Sequence, residues 1–102
     1  MTVGSAITSR DNPLLKSLRK LAQDSTAYRK AGRVWVEGEH LCSAALVRGC
    51  KPSLGVFTES YWPLAPEKYK AAATKNIVIP VNLFRDLSTL ESPAAMGFVL
   101  DW

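Results

Sequence analysis

The stretch Ile77-Val78-Ile79-Pro80-Val81 constrains the fold more than any other part of this sequence. Its apolar residues follow one another instead of alternating with polar ones. That is the pattern of a strand covered on both faces, and such strands belong to sheets with helices packed above and below. Three further β-prone runs have a similar length: Arg33-Val34-Trp35-Val36-Glu37, Leu54-Gly55-Val56-Phe57-Thr58 and Gly97-Phe98-Val99-Leu100-Asp101. Helical patterns stand between them. Residues 39–48 carry Leu41, Cys42, Ala45 and Leu46 as an apolar face. Glu39 near the start and Arg48 near the end suit the helix dipole, and Gly49 sits where a C-terminal cap belongs. Residues 61–75 read as partly helical, with Pro63 and Pro66 confining the regular part to residues 67–74. Asn82 is placed to cap a short helix over residues 83–87, and a loop containing Ser92-Pro93 follows. Strands alternating with helices give an α/β layered domain with four strands.

The N-terminal third adds an amphipathic helix. Asn12 can cap it, and Pro13 fits its first turn because the N–H there would lack a partner anyway. Leu14, Leu15, Leu18, Leu21 and Ala22 then form one apolar stripe. Lys16, Arg19, Lys20 and Gln23 occupy the other side, within an arc of about 100°. Asp24-Ser25-Thr26 ends the pattern, and Tyr28-Arg29-Lys30-Ala31-Gly32-Arg33 follows as a second basic cluster containing an aromatic ring.

Charge is distributed unevenly along the 102 residues. Residues 1–33 hold seven basic and two acidic side chains, a net +5, whereas residues 34–102 net −1. Such asymmetry suits a polyanion, nucleic acid or an anionic surface; the alternative is a solvated basic face. An apolar content of 47% with 22% charged residues is that of a single folded domain. The apolar runs are far short of the ~20 residues a membrane span needs. Residues 1–7 lack the basic and long apolar regions of a secretory signal, so the cytoplasm is expected. Cys42 and Cys50 on one helix would lie ~12 Å apart at 1.5 Å per residue, too far for a disulfide. They read as reduced thiols with at least one in the core. With one His and no Cys-x-x-Cys pair, no metal site assembles from the usual spacings.

The ordered series Ser9-Arg10-Asp11-Asn12-Pro13, Lys16, Leu18, Leu21, Arg29 and Gly32-Arg33-Val34-Trp35-Val36-Glu37-Gly38-Glu39-His40-Leu41 resembles the N-terminal part of SpoU (TrmH-like) RNA methyltransferases. Phe57-Thr58-Glu59, Leu87-Ser88, Ser92-Pro93 and Gly97-Phe98-Val99-Leu100 extend the likeness over nearly the whole chain. The family transfers a methyl group from S-adenosylmethionine to a ribose 2′-hydroxyl. The resemblance implies that residues 1–102 form its RNA substrate-binding domain, a three-layer α/β/α sandwich like that of ribosomal proteins that bind kinked RNA. A basic N-terminal region, residues 9–33, would precede an α/β body, residues 34–102. The family's knotted catalytic domain, with its cofactor loops, would lie C-terminal to this segment. By resemblance the chain then holds no cofactor or catalytic residue and is inactive alone. The abrupt stop after an apolar strand fits a fragment, expected as a monomer, of a parent protein that dimerises.

On this reading the partner is structured RNA, tRNA or rRNA. Arg10, Lys16, Arg19 and Lys20 could track its phosphates, with Arg29, Lys30 and Arg33 extending the track and Tyr28 stacking on an unpaired base. Asn12 serves either as helix cap or as base contact. His40 has no nucleophile or metal partner and reads as a surface or capping residue. Glu37 and Glu39 form no acid–base pair, and Gly38 reads as a turn glycine. Trp35 belongs to the core or to a sheet edge, and Trp62 and Trp102 to packing. Two other functions stay open: a stand-alone RNA-binding protein of the ribosomal type, and a protein-interaction module using the surface around Trp102.

Overall fold

The apolar runs pair into one sheet of five strands, described by a computed structural model that covers residues 4–24, 26–88, 90 and 92–101. In chain order the elements are β1 (Gly4–Ala6), α1 (Pro13–Gln23), α2 (Ala27–Ala31), β2 (Arg33–Glu37), α3 (Glu39–Val47), β3 (Leu54–Thr58), α4 (Glu67–Lys70), β4 (Lys75–Ile79), α5 (Val81–Leu87) and β5 (Met96–Asp101). The strand order is β1-β4-β3-β5-β2. β1, β4 and β3 run parallel, and β5 lies antiparallel between β3 and β2.

Alternation along the strands divides the core in two. Leu54, Val56, Ile77, Ile79 and Val99 face α1 and α5 and pack with Leu15, Leu18, Leu83, Phe84 and Leu87. Phe57, Met96 and Phe98 face the opposite way and pack with Cys42 of α3 and Tyr69 of α4. The result is the expected α/β/α sandwich. No helix among the described residues is long and apolar enough to cross a membrane.

Five expectations need correction. The sheet has a fifth strand, β1, which pairs with β4 in the register Gly4 to Asn76. The basic cluster at residues 28–33 contains a helical turn, α2. The helix after β4 starts at Val81 behind Pro80, whose φ of −59° suits a helix entrance; Asn82 lies inside it and is exposed, so it is no cap. The α4 helix stops at Lys70, short of residue 74. On α3, Cys42 and Ala45 are buried but Leu41 is 54% exposed, so the inward stripe is narrower than the sequence suggests.

Two glycines act where a side chain would not fit. Gly38 joins β2 to α3 with φ 96°, a conformation that L residues rarely adopt. At Gly97 the indole of Trp35 lies where a Cβ would stand. That resting place makes Trp35 a half-buried member of the sheet edge, with its ring 6.1 Å from that of Phe84.

Candidate nucleic-acid interface

α1 carries the first basic set, and its placement follows from its cap. The Asn12 side-chain oxygen accepts from the Leu14 N–H at 2.9 Å, with Pro13 as the first helical residue. Leu15 and Leu18 are buried and fix the roll of the helix against the sheet. Lys16 and Lys20 therefore face outward, and both are at least partly exposed. Arg19 lies about 100° further round the helix from Leu18 at 3.6 residues per turn. On the same side of the molecule the Gln23 amide donates to the Asp86 carbonyl of α5 at 2.7 Å.

The structure divides the nine expected RNA contacts. Arg10 precedes α1, and its guanidinium is 3.4 Å from the carboxylate of Asp86, the α5 residue whose carbonyl Gln23 also reaches. Asn12 has its oxygen in the cap. Lys20, Lys30 and Arg33 come together at the opposite end of the helix, with Arg29 on α2 beside them in sequence. The side chain of Tyr28 lies outside the described residues, as does Trp102.

Between α1 and α2 runs a groove formed by two confluent depressions. The outer one, about 350 Å³, is lined by Ser17, Lys20, Leu21, Asp24, Lys30 and Ala31. The inner one, about 270 Å³, shares Ser17, Leu21 and Ala31 and reaches Leu18, Arg33 and Val99. Asp24 is held by Thr26, whose N–H and hydroxyl both donate to its Oδ1 at 2.9 Å. Those bonds lower its pKa below the usual 3.8, and the charges of Lys20 and Lys30 act in the same direction.

Sequence reasoning missed two cations at this end of the sheet, Lys51 and Lys75. Arg33 opens β2 opposite Asp101, and Lys75 opens β4 opposite Leu54. Lys51 precedes β3 and lines a shallow depression with Val34, Cys50, Leu100 and Asp101 on the other side of the sheet. Lys51 and Lys75 lie far from residues 9–33 in sequence, so nothing local marks them; strand topology alone brings them to the end of the sheet where Arg33 stands.

The other end of β2 is built differently. Glu37 is buried, and its Oε2 accepts from the Ser88 hydroxyl at 2.6 Å and the Ala94 N–H at 3.1 Å. The Trp35 indole N–H donates to Oε1 at 3.4 Å. Glu39 accepts from the Tyr61 hydroxyl at 2.7 Å. The Tyr61 pKa is raised, first by desolvation and then by that bond. Cys42 is buried, and desolvation pushes its thiol up to about 12, so it is inert at neutral pH. Cys50 is exposed. His40 is exposed on the first turn of α3. No group of three or more His, Cys, Asp or Glu side chains among the described residues could hold a metal ion.

No family model matches the chain. An uncharacterized tRNA/rRNA methyltransferase of Synechocystis is 27% identical over 92 residues, which are 87% of this chain and 33% of that protein. Among solved structures, an RNA 2′-O ribose methyltransferase superposes with TM-score 0.76 at 23% identity, over 94% of this chain and 37% of that one. The SpoU methyltransferase AviRb of Streptomyces viridochromogenes, in complex with AdoMet, gives TM-score 0.74 at 19% identity, over 88% of this chain and 35% of that one. The chain thus spans about a third of the length of the proteins it matches. The structural likenesses show the fold, and the sequence match is to a tRNA/rRNA methyltransferase.

Proposed function

We propose that this chain is the RNA-recognition region of an S-adenosylmethionine-dependent tRNA or rRNA ribose 2′-O-methyltransferase. It holds structured RNA while a catalytic domain C-terminal to it methylates a ribose hydroxyl. The observation that carries this reading is the convergence of Lys20, Lys30 and Arg33, from three successive elements, around one open groove. Cations grouped in this way neutralise phosphates and release their condensed counterions, which is the main source of affinity in nucleic-acid binding. They position the RNA; selectivity comes from contacts to bases and to the shape of the RNA.

The methyl donor has no place in this groove. Its sulfonium is a cation, and Lys20, Lys30 and Arg33 would repel it. On this reading the cations of the groove bind and orient RNA.

The test is a salt titration of binding to tRNA and rRNA fragments. Wild type is compared with Lys16→Ala/Arg19→Ala/Lys20→Ala and with Lys20→Ala/Lys30→Ala/Arg33→Ala. Affinity should fall steeply with salt, and the slope should flatten by roughly 0.7–0.9 for each phosphate that a variant no longer neutralises. The second variant should flatten it more, because all three of its cations line the groove. Equal slopes in all three proteins, or no binding at low salt, would make these cations a solvated surface and turn the search to protein partners.

A further inference from the structure

We infer that the groove between α1 and α2 receives one unstacked nucleotide of the RNA, with guanine preferred over uracil. This inference rests on the RNA-binding reading and adds a ligand to it. Phosphate binding alone would need only the cations. The groove has more: an apolar floor from Leu21 and Ala31 that continues inward to Leu18 and Val99. Its two depressions, about 350 and 270 Å³, fall near the lower end of the size range of small-ligand sites, roughly 300–1,000 Å³. A base laid on that floor removes two apolar surfaces from water, while Lys20 and Lys30 on the rim meet the phosphates on either side.

The base preference follows from Asp24. A carboxylate on the wall of a phosphate-binding groove repels the backbone, but besides holding Thr26 it can accept from the edge of a base. Both Thr26 bonds fall on Oδ1, which leaves the lone pairs of Oδ2 to accept from a ligand. The group is exposed and its pKa is lowered, so it is an anion and an acceptor at neutral pH. Guanine presents two adjacent N–H donors, N1 and N2, on its pairing edge. Uracil presents a single N–H between two carbonyl acceptors, which the carboxylate opposes. Such an edge is available only when the nucleotide is unpaired, which matches the way proteins read RNA sequence.

The experiment follows backbone amide shifts of the intact chain as 5′-GMP, 5′-UMP or inorganic phosphate is added at constant ionic strength. GMP should move the amides of Leu21, Asp24 and Ala31 saturably, and UMP should do so more weakly. Inorganic phosphate should act near Lys20 and Lys30 and spare the floor. Ala31→Phe, at an exposed helical position, should fill the groove and abolish the GMP response. Asp24→Asn should reduce the GMP-over-UMP preference by about tenfold, the size of one charge-assisted hydrogen bond. If Ala31→Phe does not fold, Asp24→Asn carries the test alone. Identical shifts from GMP and phosphate, or an unchanged preference in Asp24→Asn, would overturn the inference while leaving salt-dependent RNA binding intact. Conversely, GMP binding without any binding of tRNA or rRNA fragments would overturn the RNA-recognition reading itself.

Discussion

The two ends of β2 put charge to opposite uses. At one end Glu37 is enclosed, with its carboxylate accepting from Ser88, Ala94 and Trp35. At the other, Arg33 is exposed and stands with Lys20 and Lys30 around an open groove. A strand of five residues carries at one end a charge that joins segments of the fold and at the other a charge turned to the outside. The difference shows that residue type alone does not identify function. A charge whose hydrogen bonds are met within the protein holds structure, and a charge grouped with like charges over apolar surface is available to a ligand.

The comparison can be broken first at its closed end. Glu37→Ala should destabilise the fold by about 3 kcal/mol, because it strands the buried partners of a carboxylate as well as removing its bonds. Urea denaturation checks this, and RNA affinity of the folded fraction should hold. Alkaline pH probes the same region. Between 9.0, the ordinary thiol value, and about 12, Cys42 keeps its proton when folded and loses it when unfolded. Stability should therefore fall as pH rises through that window, and Cys42→Ala should flatten the fall. In native protein a thiol reagent should label Cys50 and spare Cys42.

At the open end, Lys51→Ala/Lys75→Ala should lower the salt slope of RNA binding by less than the change at Lys20, Lys30 and Arg33. A reduction as large would extend the RNA path across the end of the sheet. Asn12→Ala removes the cap of α1 and should cost about 1 kcal/mol. The smallest effect is expected at Arg10→Ala, which breaks an exposed ion pair worth roughly 0.2–1 kcal/mol. A large drop in RNA affinity there would move the contact surface toward the start of α1.

How much of this is legible in the sequence depends on whether the cause is local. The bounds of β2 and β3 match their apolar runs, and the start of α1 follows from Asn12 and Pro13. β1 is invisible because Gly4-Ser5-Ala6 has little β propensity, and pairing with β4 makes it a strand. α2 is too short for periodicity to reveal. Of the site, the cations of residues 16–33 can be read as a group, but the groove cannot, because nothing in the sequence marks α2 as a helix opposite α1. The role of Glu37 is hidden for a different reason. Its partners Ser88 and Ala94 lie 51 and 57 residues away, and a single Glu at a strand end carries no sign of them.

The strand order also sets a timetable. β5 is the last of the five described strands to be synthesised, yet it lies between β3 and β2. Until residues 96–101 have emerged from the ribosome, β2 has no neighbour in the sheet and β3 keeps an open edge, a form of exposure that invites mispairing. Arg33 opens β2 opposite Asp101 of β5, so its place in the sheet is fixed only at that closure. A nascent chain therefore carries its cations from the outset but completes the sheet behind them only at its last strand.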